Sequence, residues 1–313
     1  MTARAPVGIV RVARRPAGWR APGPAPAGPQ GRPELSPQTN EDLCFLSGDW
    51  RLFQHQRGHR WSLDDLVTAW VAVGAAERRG APEEHEAHHE LGQGNVRALD
   101  LGCGLGSVLL MVAWKIPGAD VTGIELQPDR AGMGRRSIAY NGVADRCRIV
   151  DGDLRDLRGA TELGRAIGDA RFDLITGTPP YFPRGTGTES PLPQITPCRF
   201  ELHGGVEDYL AAAAPRLARG GRIVVCSAAL ERDRVRASAE RHQLTVRSHW
   251  DVVPRQGKPV LVMVDVLAAS SGGTASTTDE HTLIVRERGG AWTPAFRAVR
   301  AAMGLPPTTP AGG

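Results

Sequence analysis

The sequence predicts an α/β fold built on a mostly parallel β-sheet covered by helices on both faces. Two observations carry this. From residue 96 onward, short apolar runs alternate with longer stretches of helical character, as in successive strand–helix units. Between the first run and the first helix lies a cluster of glycines, the turn at which α/β proteins bring backbone close to a ligand.

Along the chain, residues 1–42 are rich in Pro, Ala and Arg, and Arg4, Arg11, Arg14, Arg15, Arg20 and Arg32 all precede the first acid, Glu34. Such a segment has little apolar surface to offset its chain entropy, so it is expected to be a disordered extension. Residues 43–95 read as a strand and helix capping the main domain, "WRLFQHQRGHRWSLDDLVTAWVAVGAA", followed by a polar insertion. The main domain is placed at 96–268. Its strands are "VRALDLG", "ADVTGIE", "RCRIVDGD", "FDLITGT" and "RIVVCSA", closed by the pair "LTVRSHWDVV" and "PVLVMVDVLA". Helices are expected over "SVLLMVAWKI", "QPDRAGMGRRSIAYNG" and "VEDYLAAAAPRLARGG", the last ending on paired glycines. A linker at 269–281, a strand–helix unit at 282–304 and a disordered tail at 305–313 complete the chain.

Composition narrows the function classes. No run approaches the ~18 apolar residues of a membrane helix, so the chain reads as soluble, with no membrane partner. Its five cysteines are scattered and contain no CxxC pair, which argues against a disulfide framework and for a reducing compartment, hence a cytoplasmic location. Organelle import through the Arg-rich start is the lesser alternative, because transit peptides are usually rich in serine and this segment is not. Lys115 and Lys258 are the only lysines among 38 basic residues, and arginine's planar fork suits phosphate. "HEAHH" at 85–89 matches the H-E-x-x-H zinc pattern, but it sits in a polar insertion without a third ligand, so no metal is expected.

The strongest local motif is "LDLGCGLGS". A strand ends at Asp100, and Gly102, Gly104 and Gly106 turn the chain into a helix. The spacing is G-x-G-x-G, not the G-x-G-x-x-G of dinucleotide sites. An acid at Asp100 disfavours a pyrophosphate and favours a cationic ligand such as the sulfonium and amino group of S-adenosylmethionine. Glu125, closing the second strand, is placed to accept hydrogen bonds from both ribose hydroxyls. Asp153, after the third strand, is placed for an adenine amine or for capping the turn that follows it. The fourth strand runs into "TPPYF", where Pro179 and Pro180 fix the backbone so that a carbonyl points into the crevice and Tyr181 can stack on a flat substrate.

Together these residues resemble a class I S-adenosylmethionine-dependent methyltransferase, with closest similarity to the bacterial tRNA1(Val) adenine-N6 methyltransferase family. "QRGHRWSLDDLVTAW", "CRFEL", "RQGKPVLVMVDV" and "TLIVRERGGAWTPAFRAV" extend the resemblance over about residues 45–300. It implies a Rossmann-like seven-stranded sheet, mostly parallel with an antiparallel closing strand, S-adenosyl-L-methionine as cofactor, and tRNA or another structured RNA as partner. It further implies cofactor contacts from Asp100, Gly102, Gly104, Gly106, Glu125, Asp153 and Thr178. The catalytic corner is Thr178, Pro179, Pro180 and Tyr181, and substrate contacts fall to Asp64, Phe182, Arg184, Arg199 and Glu201. Thr178 departs from the family, which has Asn there. A hydroxyl lacks the amide's reach and paired donor–acceptor pattern, and losing one transition-state hydrogen bond costs on the order of a hundredfold in rate. Three functions follow: N-methylation of an RNA base, methylation of a protein glutamine or a small molecule, or a cofactor-binding adapter that has lost catalysis.

Overall fold

A computed structural model describes residues 8–13, 15–78, 95–157, 161–182, 200–270 and 277–307. In chain order the strands are β1 (Ile9–Val10), β2 (Glu41–Phe45), β3 (Arg51–His55), β4 (Arg97–Leu101), β5 (Asp120–Glu125), β6 (Cys147–Asp151), β7 (Phe172–Gly177), β8 (Leu217–Ala228), β9 (Leu244–Val253), β10 (Val262–Ala269) and β11 (Asp279–Ile284). The helices are α1 (Leu63–Glu77), α2 (Ser107–Lys115), α3 (Pro128–Asn141), α4 (Glu162–Ile167), α5 (Val206–Ala213), α6 (Arg232–Arg241) and α7 (Pro294–Ala302).

The main sheet has eight strands in the order β11-β9-β10-β8-β7-β4-β5-β6. Strands β8, β7, β4, β5 and β6 are mutually parallel, and β10 runs antiparallel to both β8 and β9. Side chains alternate between two cores, as the two-residue period of a strand requires. Ile223 and Val225 pack on one face with α4, α5 and α6, while Val224 and Cys226 pack on the other with α1, α2, α3 and α7. Among the described residues no helix is long and apolar enough to cross a membrane.

Four expectations need correction. The strand count is eight, not seven. Strand β11 belongs to the C-terminal unit and pairs parallel with β9, satisfying the backbone groups that a sheet edge leaves open. That unit therefore adds an edge strand to the sheet, beginning at Asp279 and not at residue 282.

The expected disordered extension is also placed, from residue 8. Strand β1 pairs with β2, and Arg11 and Arg15 pair with Asp42 and Asp49. Arg136 of α3 donates to the Glu34 and Ser36 carbonyls, and Gly28 N–H donates to the Tyr140 carbonyl. Composition alone misses these partners because they lie tens of residues away.

Finally, α5 stops at Ala213 instead of running to the paired glycines, since Pro215 lacks the N–H needed to continue it. Gly220 and Gly221 lie within β8, where the register jumps: Phe172 pairs with Leu217 but Leu174 pairs with Arg222. A Cβ at Gly221 would stand 3.0 Å from the Phe172 carbonyl oxygen, so the bulge needs glycine there.

Candidate active site

The carboxyl ends of β4, β5, β6 and β7 open onto a cleft that continues into open solvent. This is where the crevice of an open α/β sheet is expected. The glycine loop forms one wall. Gly102, Gly104 and Gly106 have φ of 59°, 57° and 79°, a left-handed series that L side chains resist. Gly102 is required for a second reason, since a Cβ there would lie 2.2 Å from Tyr209 Oη.

Glu125 ends β5 with its carboxylate in the cleft and only 5% of its surface exposed. It accepts the Gly104 N–H at 2.7 Å and the Gln127 N–H at 2.8 Å. Each oxygen keeps a lone pair for a further donor. Asp153 also lines the cleft, yet its carboxylate accepts the Arg155 N–H at 3.0 Å and pairs with the Arg155 guanidinium. Those hydrogen bonds hold the carboxyl below its ordinary range. The capping role is therefore observed, with the same residue still facing the cleft.

Asp100 behaves differently from the expectation. It is 3% exposed and lies behind the loop, outside the cleft lining. It accepts the Leu109 N–H of α2 at 3.2 Å and the Thr176 hydroxyl at 2.8 Å. It thus ties the first turn of α2 to β7, and burial pushes its carboxyl up to about 7. A third acid of the cleft lining, beside Glu125 and Asp153, is Asp65 on the first turn of α1. Asp65 accepts the Ser107 hydroxyl at 2.7 Å and the Ser62 N–H at 2.8 Å. Burial and the neighbouring Asp64 push it upward as well.

At the end of β7, Thr178 and Pro180 line the same cleft, and Pro179 is buried behind them. Tyr181 is not among the lining residues. Its hydroxyl donates to Asp64 Oδ2 at 2.6 Å and lies 3.3 Å from Cys226 Sγ, and its ring packs against the core. Asp64 therefore anchors the proline corner to α1. Phe182 is exposed beside Phe200, with ring centroids 5.8 Å apart. Glu201 pairs with Arg234, which also holds Glu207 and Glu231. Like Asp64 and Phe182, Glu201 is not part of the cleft lining. Arg184, Arg199 and the "HEAHH" segment lie outside the described residues.

Among the lining residues that sequence reasoning misses, two carry charge, Asp65 and Arg130. Asp65 stands beside Asp64, the aspartate that the family resemblance singles out, and Arg130 carries no motif signature. Arg130 is nine-tenths buried on the first turn of α3.

The lining fits an adenosine with a charged tail. Ile124, Leu126 and Leu154 offer apolar surface to a base, Glu125 retains acceptor capacity for ribose hydroxyls, and an acid and a guanidinium remain for charges. The Ser107 hydroxyl and the Gly104 backbone bring the glycine loop against both.

Comparison with known proteins agrees. Residues 98–179 match the family model described as a methyltransferase domain. A tRNA1(Val) (adenine(37)-N6)-methyltransferase of Porphyromonas gingivalis is 35% identical over 171 residues, which is 55% of this chain and 58% of that protein. A release factor glutamine methyltransferase of Chlorobaculum tepidum is 30% identical over 40% of this chain and 43% of its own length. The chain thus spans about half the length of these curated relatives. A solved predicted O-methyltransferase from Agrobacterium tumefaciens shares the fold with a TM-score of 0.55 at 19% identity, covering 78% of this chain and 98% of that one. The glycine loop, Glu125 and the proline corner all open onto one cleft, within or beside the matched residues. Residues 98–179 thus carry a methyltransferase domain, which implies S-adenosylmethionine as cofactor, and about half of the chain is similar to tRNA1(Val) (adenine(37)-N6)-methyltransferases.

Proposed function

We propose that this chain transfers a methyl group from S-adenosylmethionine to an exocyclic amino nitrogen of an RNA base, adenine N6 in tRNA. The observation that carries the reading is the shared cleft, which Thr178 and Pro180 line together with Gly102, Gly104 and Glu125. The bound cofactor supplies an electrophilic methyl group, so the protein's task is to position the acceptor. The Thr178 hydroxyl accepts one N–H of the acceptor, and the rigid corner offers a carbonyl to the other. The nitrogen lone pair is then directed at the methyl carbon without a strong base, and alignment supplies much of the rate. Tyr181 holds the corner through Asp64, which makes it a positioning residue.

A second reading has an observation of its own, the release factor glutamine methyltransferase among the relatives. A glutamine amide presents the same two N–H groups to the same corner.

Purified full-length chain is incubated with radiolabelled S-adenosylmethionine and an extract of its source lacking this gene, and the label is traced. Label in small RNA that digests to N6-methyladenosine supports the proposal. Label in protein or small molecules moves the function to the second reading. Cofactor binding with no label in any fraction identifies an adapter. If adenine is the acceptor, Thr178→Asn raises turnover on tRNA by restoring the second hydrogen-bonding group.

A further inference from the structure

Charge is unevenly spread along the carboxyl edge of the sheet. Strand β10 runs antiparallel to β8 and to β9, so β9 points the same way as β8, and β11 lies parallel to β9. The carboxyl ends of β9 and β11 therefore share the edge onto which the cleft opens. In the order β7-β8-β10-β9-β11 they stand three and four ladder steps from the proline corner, about 14 and 19 Å.

The chain leaving these two strands is strongly basic. Residues 254–261 and 285–300 hold Arg255, Lys258, Arg286, Arg288, Arg297 and Arg300 against one acid, Glu287. The two segments are pinned together. Gln256 N–H donates to the Arg286 carbonyl at 2.8 Å, and Arg288 Nη2 lies 3.8 Å from where a Cβ of Gly257 would stand. Trp292 gathers two of the cations, its ring centroid lying 3.7 Å from the Arg300 guanidinium carbon and 5.8 Å from that of Arg286. Burial, and after it the charge of Arg286, pulls Arg300 down to about 10. Arg255, Lys258 and Arg288 are exposed. Among the described residues none of the six cations has a carboxylate within 4.0 Å.

Like charges held this close repel, and anions bridging them relieve the repulsion. Five of the six are arginines, whose planar forks match phosphate oxygens two at a time. A surface that offers several such forks in a row suits a chain of phosphates. Because it lies on the same edge as the cleft, the chain it suits is the one whose base enters the cleft. Contacts to phosphate set register and orientation, which a site acting on a single base needs.

We infer that the β9–β10 turn and the loop after β11 form a docking ridge for the phosphate backbone of the RNA substrate, beside the nucleotide that enters the cleft. Resting on the proposed RNA substrate, this assignment lays the strand across the sheet edge from β7 toward β11.

The test compares two triple variants of the full chain in filter binding of unfractionated tRNA from its source, at one physiological salt concentration. Arg255→Gln/Lys258→Gln/Arg288→Gln removes three exposed charges from the ridge. Arg171→Gln/Arg219→Gln/Arg241→Gln removes three exposed arginines near the amino ends of β7, β8 and β9, at the opposite edge. Each variant lowers the net charge by the same three units, from +4 to +1. The ridge variant is expected to bind tRNA about tenfold more weakly, at two- to threefold for each exposed phosphate contact, and the control within about twofold of wild type. Calorimetric affinity for S-adenosylmethionine stays within about twofold in both, which reports an intact cleft. A ridge variant that binds tRNA as wild type does overturns the ridge and leaves the RNA reading standing. Equal losses in the two variants also overturn it, since net charge alone would then account for binding. A wild type that binds no tRNA overturns the ridge and the RNA reading together. Wild-type binding to phosphatidylserine vesicles in place of tRNA does the same and assigns the cations to a membrane surface.

Discussion

Replacing Asp100 with asparagine tests the claim that this acid is a buried tether and not a ligand contact. Burial lifts its carboxyl from the ordinary aspartate value of 3.8 to about 7, opposed only in part by the Thr176 and Leu109 hydrogen bonds. The folded chain therefore keeps a proton at Asp100 that the unfolded chain has already released. For an acid raised in this way, the associated stability is complete below the unfolded value and is lost as pH rises through the folded one. Between pH 5 and 7.5 the two states differ by nearly one proton over roughly two pH units, which corresponds to about 2.5 kcal/mol. The asparagine side chain does not titrate, so the variant lacks this decline. Urea denaturation of both ligand-free proteins at several pH values between 5 and 7.5 measures it. Asp65 titrates in the same window, but it is present in both proteins and cancels in the difference. The expected result is a wild type that loses about 2.5 kcal/mol relative to Asp100→Asn across the range. Parallel profiles would refute the assignment of Asp100 to a buried, proton-retaining position.

Three further substitutions probe the same architecture. Gly102→Ala places a β-carbon at φ of 59° and against Tyr209 Oη, and is expected to lower stability by about 2 kcal/mol or more in denaturant melts. Tyr181→Phe removes the 2.6 Å hydrogen bond to Asp64. It should cost about 1–3 kcal/mol of stability while leaving calorimetric affinity for the cofactor within about twofold. Arg234→Met leaves Glu201, Glu207 and Glu231 clustered without their shared cation. The expected loss is about 2 kcal/mol near neutral pH. It shrinks as pH falls and the carboxylates take up protons, because Arg234 is what holds Glu207 below its ordinary range. A thermal-melt series over pH reads the trend directly.

The parts of the site written in contiguous residues are legible in the sequence. The glycine series announces itself because three left-handed positions in five residues need glycine, and Glu125 follows from ending the next strand. The proline corner is equally local. What escapes reading depends on partners distant in sequence. Asp65 and Ser107 are 42 residues apart, and Asp64 and Tyr181 are 117 apart, so neither pairing shows in any window of the sequence. The environment of Asp100 is hidden for a related reason. An acid beside a glycine turn has the same one-dimensional appearance whether it faces the ligand or caps the helix behind the loop. The eighth strand escapes because pairing with β9 is a property of the sheet edge and not of the segment itself.

The placement of residues 8–42 changes what a polyanion would meet at this surface. Counted from composition, the first forty residues look like a dense positive arm. In the folded chain Arg11 faces Asp42, Arg15 faces Asp49 and Arg32 faces Glu34, while Arg136 reaches across to Glu41. Charges neutralised within a few ångströms project little field beyond a Debye length of about 8 Å at physiological salt. Counterion release on binding a nucleic acid would then come from arginines outside these pairs. The slope of affinity against salt would count those arginines alone, and would be shallower than the composition implies.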